Sequence, residues 1–140
     1  MQFATRSSNI LIVDSDRASL EMLQIRLTVV GYHPSIARTG ATAMEMIRHA
    51  RPAAMILELN LPDMCGLEVL EAIRAGGGAP IRTMVIGKRI APEAIRRAIE
   101  LGARDCVAKP FSGAEVLDRL SRMLTRTAPP PAASSRVVLV

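Results

Sequence analysis

The chain has no tryptophan, and one Tyr and two Phe are its only aromatic residues, so any core built from its 49% hydrophobic content must be aliphatic. Cysteine is nearly absent as well. Cys65 and Cys106 lie too far apart for a metal-ligand or redox motif, which leaves two free thiols expected to be buried. No apolar run approaches the roughly 18 residues of a membrane span. The opening M-Q-F-A-T-R-S-S-N lacks the apolar segment of a secretory signal, so a cytoplasmic location is expected. The charge of +5, from 18 basic and 13 acidic side chains, is spread along the chain, with Lys88-Arg89 and Arg96-Arg97 as local doublets. A nucleic-acid binder would show a basic stripe and a reading element, and neither is seen here.

At 140 residues there is room for one domain. Its organising stretch is Met55 to Leu67, M-I-L-E-L-N-L-P-D-M-C-G-L. Met55, Ile56 and Leu57 form a continuous apolar run, suited to a strand covered on both faces. Glu58 stands where that strand ends. Asn60, Pro62, Asp63 and Gly66 then break regular structure, and helical spacing resumes at Leu67, Leu70 and Ile73. In open α/β sheets such a loop, at the carboxyl end of a strand, is where sites are built.

The same alternation recurs along the chain. Asn9 to Val13 is a buried strand closed by Asp14, Ser15 and Asp16, any of which can cap the next helix, with Asp16 preferred. Leu20, Leu23, Leu27 and Val30 give that helix one apolar stripe, ended by Gly31. His33 to Ala37 carries Pro34 and is placed at a sheet edge. A helix from Thr39-Gly40 to Ala50 precedes the organising stretch. After the helix from Cys65 to Arg74 and the Gly76-Gly77-Gly78 connector, Ile81 to Ile86 makes a fourth strand, terminated by Gly87. Pro92 opens a helix that Gly102 stops, and Asp105 to Ala108 is a fifth strand leading to Lys109-Pro110. Ser112 and Glu115 make a capping box for the last helix. His33 and His49 are isolated, and Met44, Met46, Met84 and Met123 belong to the core or helix flanks. The expected layout is an extension over 1–8, a domain over 9–126 and a Pro/Ala/Ser linker-like tail over 127–140.

Five strands alternating with five helices imply a doubly wound α/β fold with a parallel sheet and a crevice at the strands' carboxyl ends. That crevice would gather Asp14, Ser15, Asp16, Glu58, Gly87 and Lys109.

The motifs I-L-I-V-D-S-D, L-E-L-N-L-P-D-M-C-G-L-E-V-L and G-A-R-D-C-V-A-K-P-F resemble those of the receiver domain of two-component response regulators, over roughly residues 9 to 125. The intervals from Asp14 to Glu58 and from Gly87 to Lys109 are also the family's. The resemblance implies a flavodoxin-like (βα)5 fold with strand order 2-1-3-4-5 and a phosphorelay role. In such domains an Asp on the third strand accepts a phosphoryl group from a histidine kinase. Acidic residues on the first strand hold Mg²⁺, a Lys contacts the phosphoryl oxygens, and a hydroxyl and an aromatic residue report the change.

Lys109, Pro110, Asp14 and Asn60 match that pattern, Asn60 at the position whose carbonyl ligates the metal. Four positions depart from it: Glu58 stands for the acceptor Asp, Ser15 for the second acid, Gly87 for the hydroxyl residue and Cys106 for the aromatic one. The extra methylene of Glu58 displaces the carboxylate, and an error of about 1 Å can cost on the order of a hundredfold in rate. Mg²⁺ binding through Asp14, Glu58 and Asn60 is expected to be weak or absent. Glu58 is instead expected to pair with Lys109, and Lys88 or Arg89 could supply a second cation. The expectation is a non-enzymatic signalling module that binds a protein partner, or a second copy of itself, through the face from Pro92 to Leu124. The alternatives are a working phosphoacceptor switched by a histidine kinase and, from another class, a flavodoxin-like small-ligand binder. The second needs a Ser/Thr/Gly-rich loop that D-S-D-R-A does not supply.

Overall fold

The structure is a computed structural model that describes residues 9–125, so the expected extension over 1–8 and tail over 127–140 lie outside the described residues. Strands β1 (Asn9–Val13), β2 (His33–Ala37), β3 (Ala54–Glu58), β4 (Arg82–Gly87) and β5 (Ala103–Ala108) alternate with helices α1 (Arg17–Val29), α2 (Gly40–His49), α3 (Gly66–Ala75), α4 (Pro92–Glu100) and α5 (Gly113–Thr125). All strand pairs are parallel, in the order β2-β1-β3-β4-β5. Pro34 therefore lies in an edge strand, where its missing N–H breaks no inner ladder.

The side-chain period of a strand divides the core in two. Leu11, Val13, Met55, Leu57 and Val85 face one way and pack with Ala43, Val69 and Ile95 of α2, α3 and α4. Ile10, Ile12, Ile56, Met84 and Ile86 face the other way and meet Leu20, Leu23, Val116 and Leu120 of α1 and α5. Every residue of β3 is buried, which is why its apolar run shows no alternation. No aromatic side chain is among the buried core residues described, and Tyr32 and Phe111 pack partly buried against the α1 and α5 side.

Local chemistry sets the helix starts. Asp16 is the N-cap of α1, its side chain accepting from Ala18 N at 3.3 Å, and Ser112 Oγ accepts from Glu115 N at 3.0 Å ahead of α5. Cys65 departs from expectation. It is exposed, because as N-cap of α3 it stands in the loop rather than on the helix's apolar stripe. Cys106, on β5, is buried as expected.

One irregularity in the sheet has no sequence signature. Thr83 pairs with Ala103 while Met84 pairs with Asp105, so Arg104 is an extra residue bulged out of the β4–β5 ladder.

Candidate functional site

The register brings the carboxyl ends of β1, β3, β4 and β5 to one rim of the sheet, with Val13 beside Leu57, Glu58 beside Ile86 and Gly87 beside Ala108. Backbone bonds prolong this alignment past the strands: Leu59 N donates to Ile86 O at 3.1 Å and Lys109 N to Gly87 O at 2.8 Å. The loop after β3 doubles back tightly, Gly66 N donating to Leu59 O at 2.7 Å. A Cβ at Gly66 would fall 2.5 Å from Glu58 O, so only glycine lets this loop close over the acidic residue.

Within that frame Lys109 Nζ lies 2.8 Å from Glu58 Oε1, 2.8 Å from Asp14 Oδ2 and 3.9 Å from Asp16 Oδ2. Asp14 is 1% exposed and Glu58 4%, so both carboxylates are withdrawn from water. A buried charge is tolerated only when paired and hydrogen-bonded. Both conditions hold: Asp16 N donates to Asp14 Oδ1 at 3.0 Å and Asn60 N to Glu58 Oε2 at 2.8 Å. Each of the four carboxylate oxygens thus meets a donor. Burial works to lower the pKa of Lys109, but the hydrogen bonds and charges of Asp14 and Glu58 outweigh it and hold the ammonium above its ordinary value. At neutral pH the lysine is charged.

Gly87 completes the pocket by what it lacks. A Cβ there would stand 3.1 Å from Glu58 Oε2 and 3.1 Å from Ile90 Cγ1. The longer arm of Glu58 therefore occupies space that any side chain at position 87 would contest. This fit between the two positions cannot be read from either residue alone.

The other candidate residues are placed as follows. Ser15 is exposed and brings no charge to the cluster, and Pro110, joined to Lys109 by a cis peptide bond, is exposed beside it. Asp16 is exposed, bonded to Ser19 Oγ at 2.9 Å, and that bond leads the causes that lower its carboxyl pKa. Lys88 and Arg89 are both exposed, and among the described residues neither forms an ion pair with Glu58, so the second cation expected there is not supplied. Their position beyond the end of β4 turns them to solvent. Cys106 is buried below the crevice, and burial pushes its thiol up to about 11. His33 and His49 are exposed and remote from the cluster.

Asn60, Asp14 and Glu58 do not fit a divalent-ion site. The two carboxylates already share an ammonium and two backbone N–H groups, Ser15 offers only a neutral hydroxyl, and Mg²⁺ would have to enter against Lys109. Among the described residues no group of three or more His, Cys, Asp or Glu side chains is placed to hold a metal ion.

Two features escaped the sequence reading. Asp63 reaches across to α2, its carboxylate accepting from Gly40 N at 2.9 Å and Ala41 N at 3.0 Å, and these donors hold its carboxyl below the usual range. It thereby ties the loop after β3 to the start of α2. On the flank of β5, Arg119 Nη1 lies 2.8 Å from Asp105 Oδ1 and 3.4 Å from Cys106 O, and Arg119 Nη2 lies 3.4 Å from Glu115 Oε2. An acid followed by Arg four residues on signals the second pair. Nothing in the sequence signals the first.

Residues 10–121 match the family described as the response regulator receiver domain. "Response regulator MprA" of Mycobacterium tuberculosis is 37% identical over 129 residues, covering 92% of this chain and 56% of that protein. The protein of the same name in Mycobacterium leprae is 38% identical over 131 residues, covering 90% of this chain and 55% of its own length. The chain thus spans about half the length of these curated relatives. Among solved structures, the chemotaxis protein CheY4 of Vibrio cholerae superposes with a TM-score of 0.77 at 26% identity, covering 83% of this chain and 98% of that one. A CheY-like response regulator receiver domain protein from Methanospirillum hungatei gives 0.76 at 27% identity, covering 84% and 93%.

Proposed function

The chain belongs to the response regulator receiver family, and from that premise we propose that it is a permanently set receiver, a phosphorylation-independent interaction module of two-component signalling. The observation that carries this reading is the position of Lys109 Nζ, 2.8 Å from both Glu58 Oε1 and Asp14 Oδ2. The lysine that would contact an incoming phosphoryl group already has its anion. Glu58 carries one negative charge where a phosphoryl group would carry about −1.5 to −2, so its imitation of that group is partial.

In-line attack needs a carboxylate oxygen free to approach phosphorus. Here Oε1 is held by Lys109 and Oε2 by Asn60 N, so both nucleophilic atoms are engaged. Gly87 offers no hydroxyl to receive a phosphoryl oxygen, and Cys106 no ring to report one. The module is non-enzymatic and cytoplasmic in this reading; among the described residues no helix is long and apolar enough to cross a membrane. Its partner is a signalling protein or a second copy of the chain, met through the face of α4, β5 and α5 from Pro92 to Leu124. There the Arg119 pairs with Asp105 and Glu115 hold one arrangement.

The test is incubation of the native chain, Glu58→Asp, and Glu58→Asp with Ser15→Asp, with acetyl phosphate and Mg²⁺, followed by intact mass. The native chain is expected to stay unmodified and the double variant to take up phosphate. Phosphate on native Glu58 would overturn the reading.

A further inference from the structure

Among the described residues the exposed large hydrophobics are Ile25, Val29 and Val30, at 64%, 78% and 56% exposure, and all three stand in the last turns of α1 and its C-cap. Apolar residues scattered singly over a surface are ordinary, whereas a grouped set marks a contact. The grouping is regular. Half-buried Met22, then Ile25 and Val29, recur at steps of three and four, a second stripe on the side of the helix turned away from buried Leu20, Leu23 and Leu27. Val30 lies one turn beyond Arg26, whose side chain packs on α5 at Gly113, where an added Cβ would fall 2.9 Å from Arg26 Nε.

The end of α5 comes to the same part of the molecule. α1 and α5 share one half of the core, where Leu20, Leu23 and Leu27 meet Val116, Leu120 and Met123. Each helix follows a strand of a parallel sheet, so both run from the carboxyl rim back to the amino rim. Arg82 Nη1, at the start of β4, donates to Leu124 O at 3.3 Å and fixes the end of α5 at that rim. The patch ends there too, since Tyr32 leads into β2, whose His33 pairs with Asn9 at the start of β1. From β4 to β2 is three strand spacings, about 14 Å. Beyond Thr125 the sequence runs through ten residues, 126–135, with Pro129, Pro130 and Pro131 among them, to the apolar V-V-L-V of 137–140. At the polyproline rise of about 3.1 Å per residue those ten span roughly 30 Å, twice the separation.

We propose that the apolar patch on α1 is the docking site of this chain's own segment 137–140, laid along the helix with Val137 and Leu139 against Ile25 and Val29. The spacings agree. Alternate residues of an extended segment stand about 6.6 Å apart on one side, and residues four apart on a helix lie about 6 Å apart along its axis. Three Val and one Leu suit an extended form better than a further helical turn. The docked segment covers α1 and uses neither the pocket of Glu58 and Lys109 nor α4.

The test is methyl-resolved NMR of the full chain, native and carrying Val137→Asp and Leu139→Asp together, with a mixture of two differently labelled chains to separate contacts within a chain from contacts between chains. Cross-peaks from the Ile25 and Val29 methyls to those of Val137 and Leu139 are expected within one chain. The double variant, whose changes lie outside residues 9–125 and leave the core packing untouched, is expected to lose them and to shift the amides of Ile25, Val29 and Val30 while those of Glu58 and Lys109 hold still. Val29→Asp, at an exposed position, is expected to lose the same cross-peaks. Absence of these cross-peaks in the native chain, amides at Ile25, Val29 and Val30 identical in the native chain and the double variant, or cross-peaks only between differently labelled chains, as a second copy covering the patch would give, would each overturn the proposal.

Discussion

The two rims of one sheet handle charge in opposite ways. At the carboxyl ends of the strands two buried carboxylates and one ammonium meet within 2.8 Å, and backbone N–H groups take up the remaining carboxylate oxygens. At the amino ends three arginines line one concavity with no acidic side chain among its lining residues. The first arrangement is closed: its charges are matched internally, and an added ion has to displace something. The second is open: Arg51 is exposed, and Arg82 gives one hydrogen bond, from Nη1 to Leu124 O. Receivers are expected to be open at the first rim, where phosphate arrives. In the proposed reading that rim is closed by Glu58, whose Oε2 lies 3.1 Å from where a Cβ at Gly87 would stand.

The largest effect should come from opening the closed rim. Lys109→Ala leaves Asp14 and Glu58 buried without their cation, and the expected loss is about 3–5 kcal/mol in urea unfolding. Arg51→Gln, made at the open rim, should change stability by less than about 0.5 kcal/mol. Similar losses from the two substitutions would erase the distinction.

A second test separates the buried interior of β5 from both rims. The folded chain holds the Cys106 thiol to about 11, above its ordinary 9.0, so between those values the unfolded chain releases a proton that the folded one keeps. Stability from this group is complete below about pH 9 and falls as pH rises toward 11, by roughly 2 kcal/mol. Lys109, whose pKa is raised above 10.5, adds its own loss only beyond that value. Cys106→Val should therefore flatten the decline between pH 9 and 10.5 in denaturant titrations and leave the steeper part above it.

The smallest effect concerns the brace beside the closed rim. Asp63 has a depressed carboxyl pKa because it accepts from Gly40 N and Ala41 N, so its contribution is present above the ordinary value of 3.8 and disappears as pH falls through the lower folded value. Asp63→Asn should lower the thermal midpoint slightly at pH 7 and leave it unchanged near pH ~2. An equal shift at both pH values would mean that charge is not what ties the loop to α2.

The fold was legible because its signals are local. Apolar runs such as Asn9 to Val13 and Met55 to Leu57, the Asp16 cap, Pro34 at an edge and Pro92 at a helix start each follow from neighbours in the chain. The alternation of strands and helices then gathered Asp14, Glu58 and Lys109 in one crevice, and the resemblance gave those positions their roles. What stayed hidden depends on groups distant in sequence. Asp63 capping a helix that precedes it and Glu58 filling the space above Gly87 are tertiary facts. The bulge at Arg104 is hidden differently, since its residues have ordinary strand character and only the partner strand reveals the extra one. Cys65 was misread because its residue type favours burial while its place at a helix N-cap favours exposure.

The account stands on the pocket having been refitted as a unit around a fixed carboxylate, and the most direct measurement is a stability cycle of Glu58→Asp, Gly87→Thr and the pair. Gly87→Thr alone introduces a Cβ at 3.1 Å from Glu58 Oε2, while in the Glu58→Asp background the carboxylate is withdrawn and the space is open. The cycle cancels any gain in strand propensity from Thr, so the coupling between the two positions is expected at roughly 0.5–3 kcal/mol, the pair being more stable than the sum of the single changes. Additive effects would mean that Glu58 and Gly87 arose independently in a pocket that had simply lost its function.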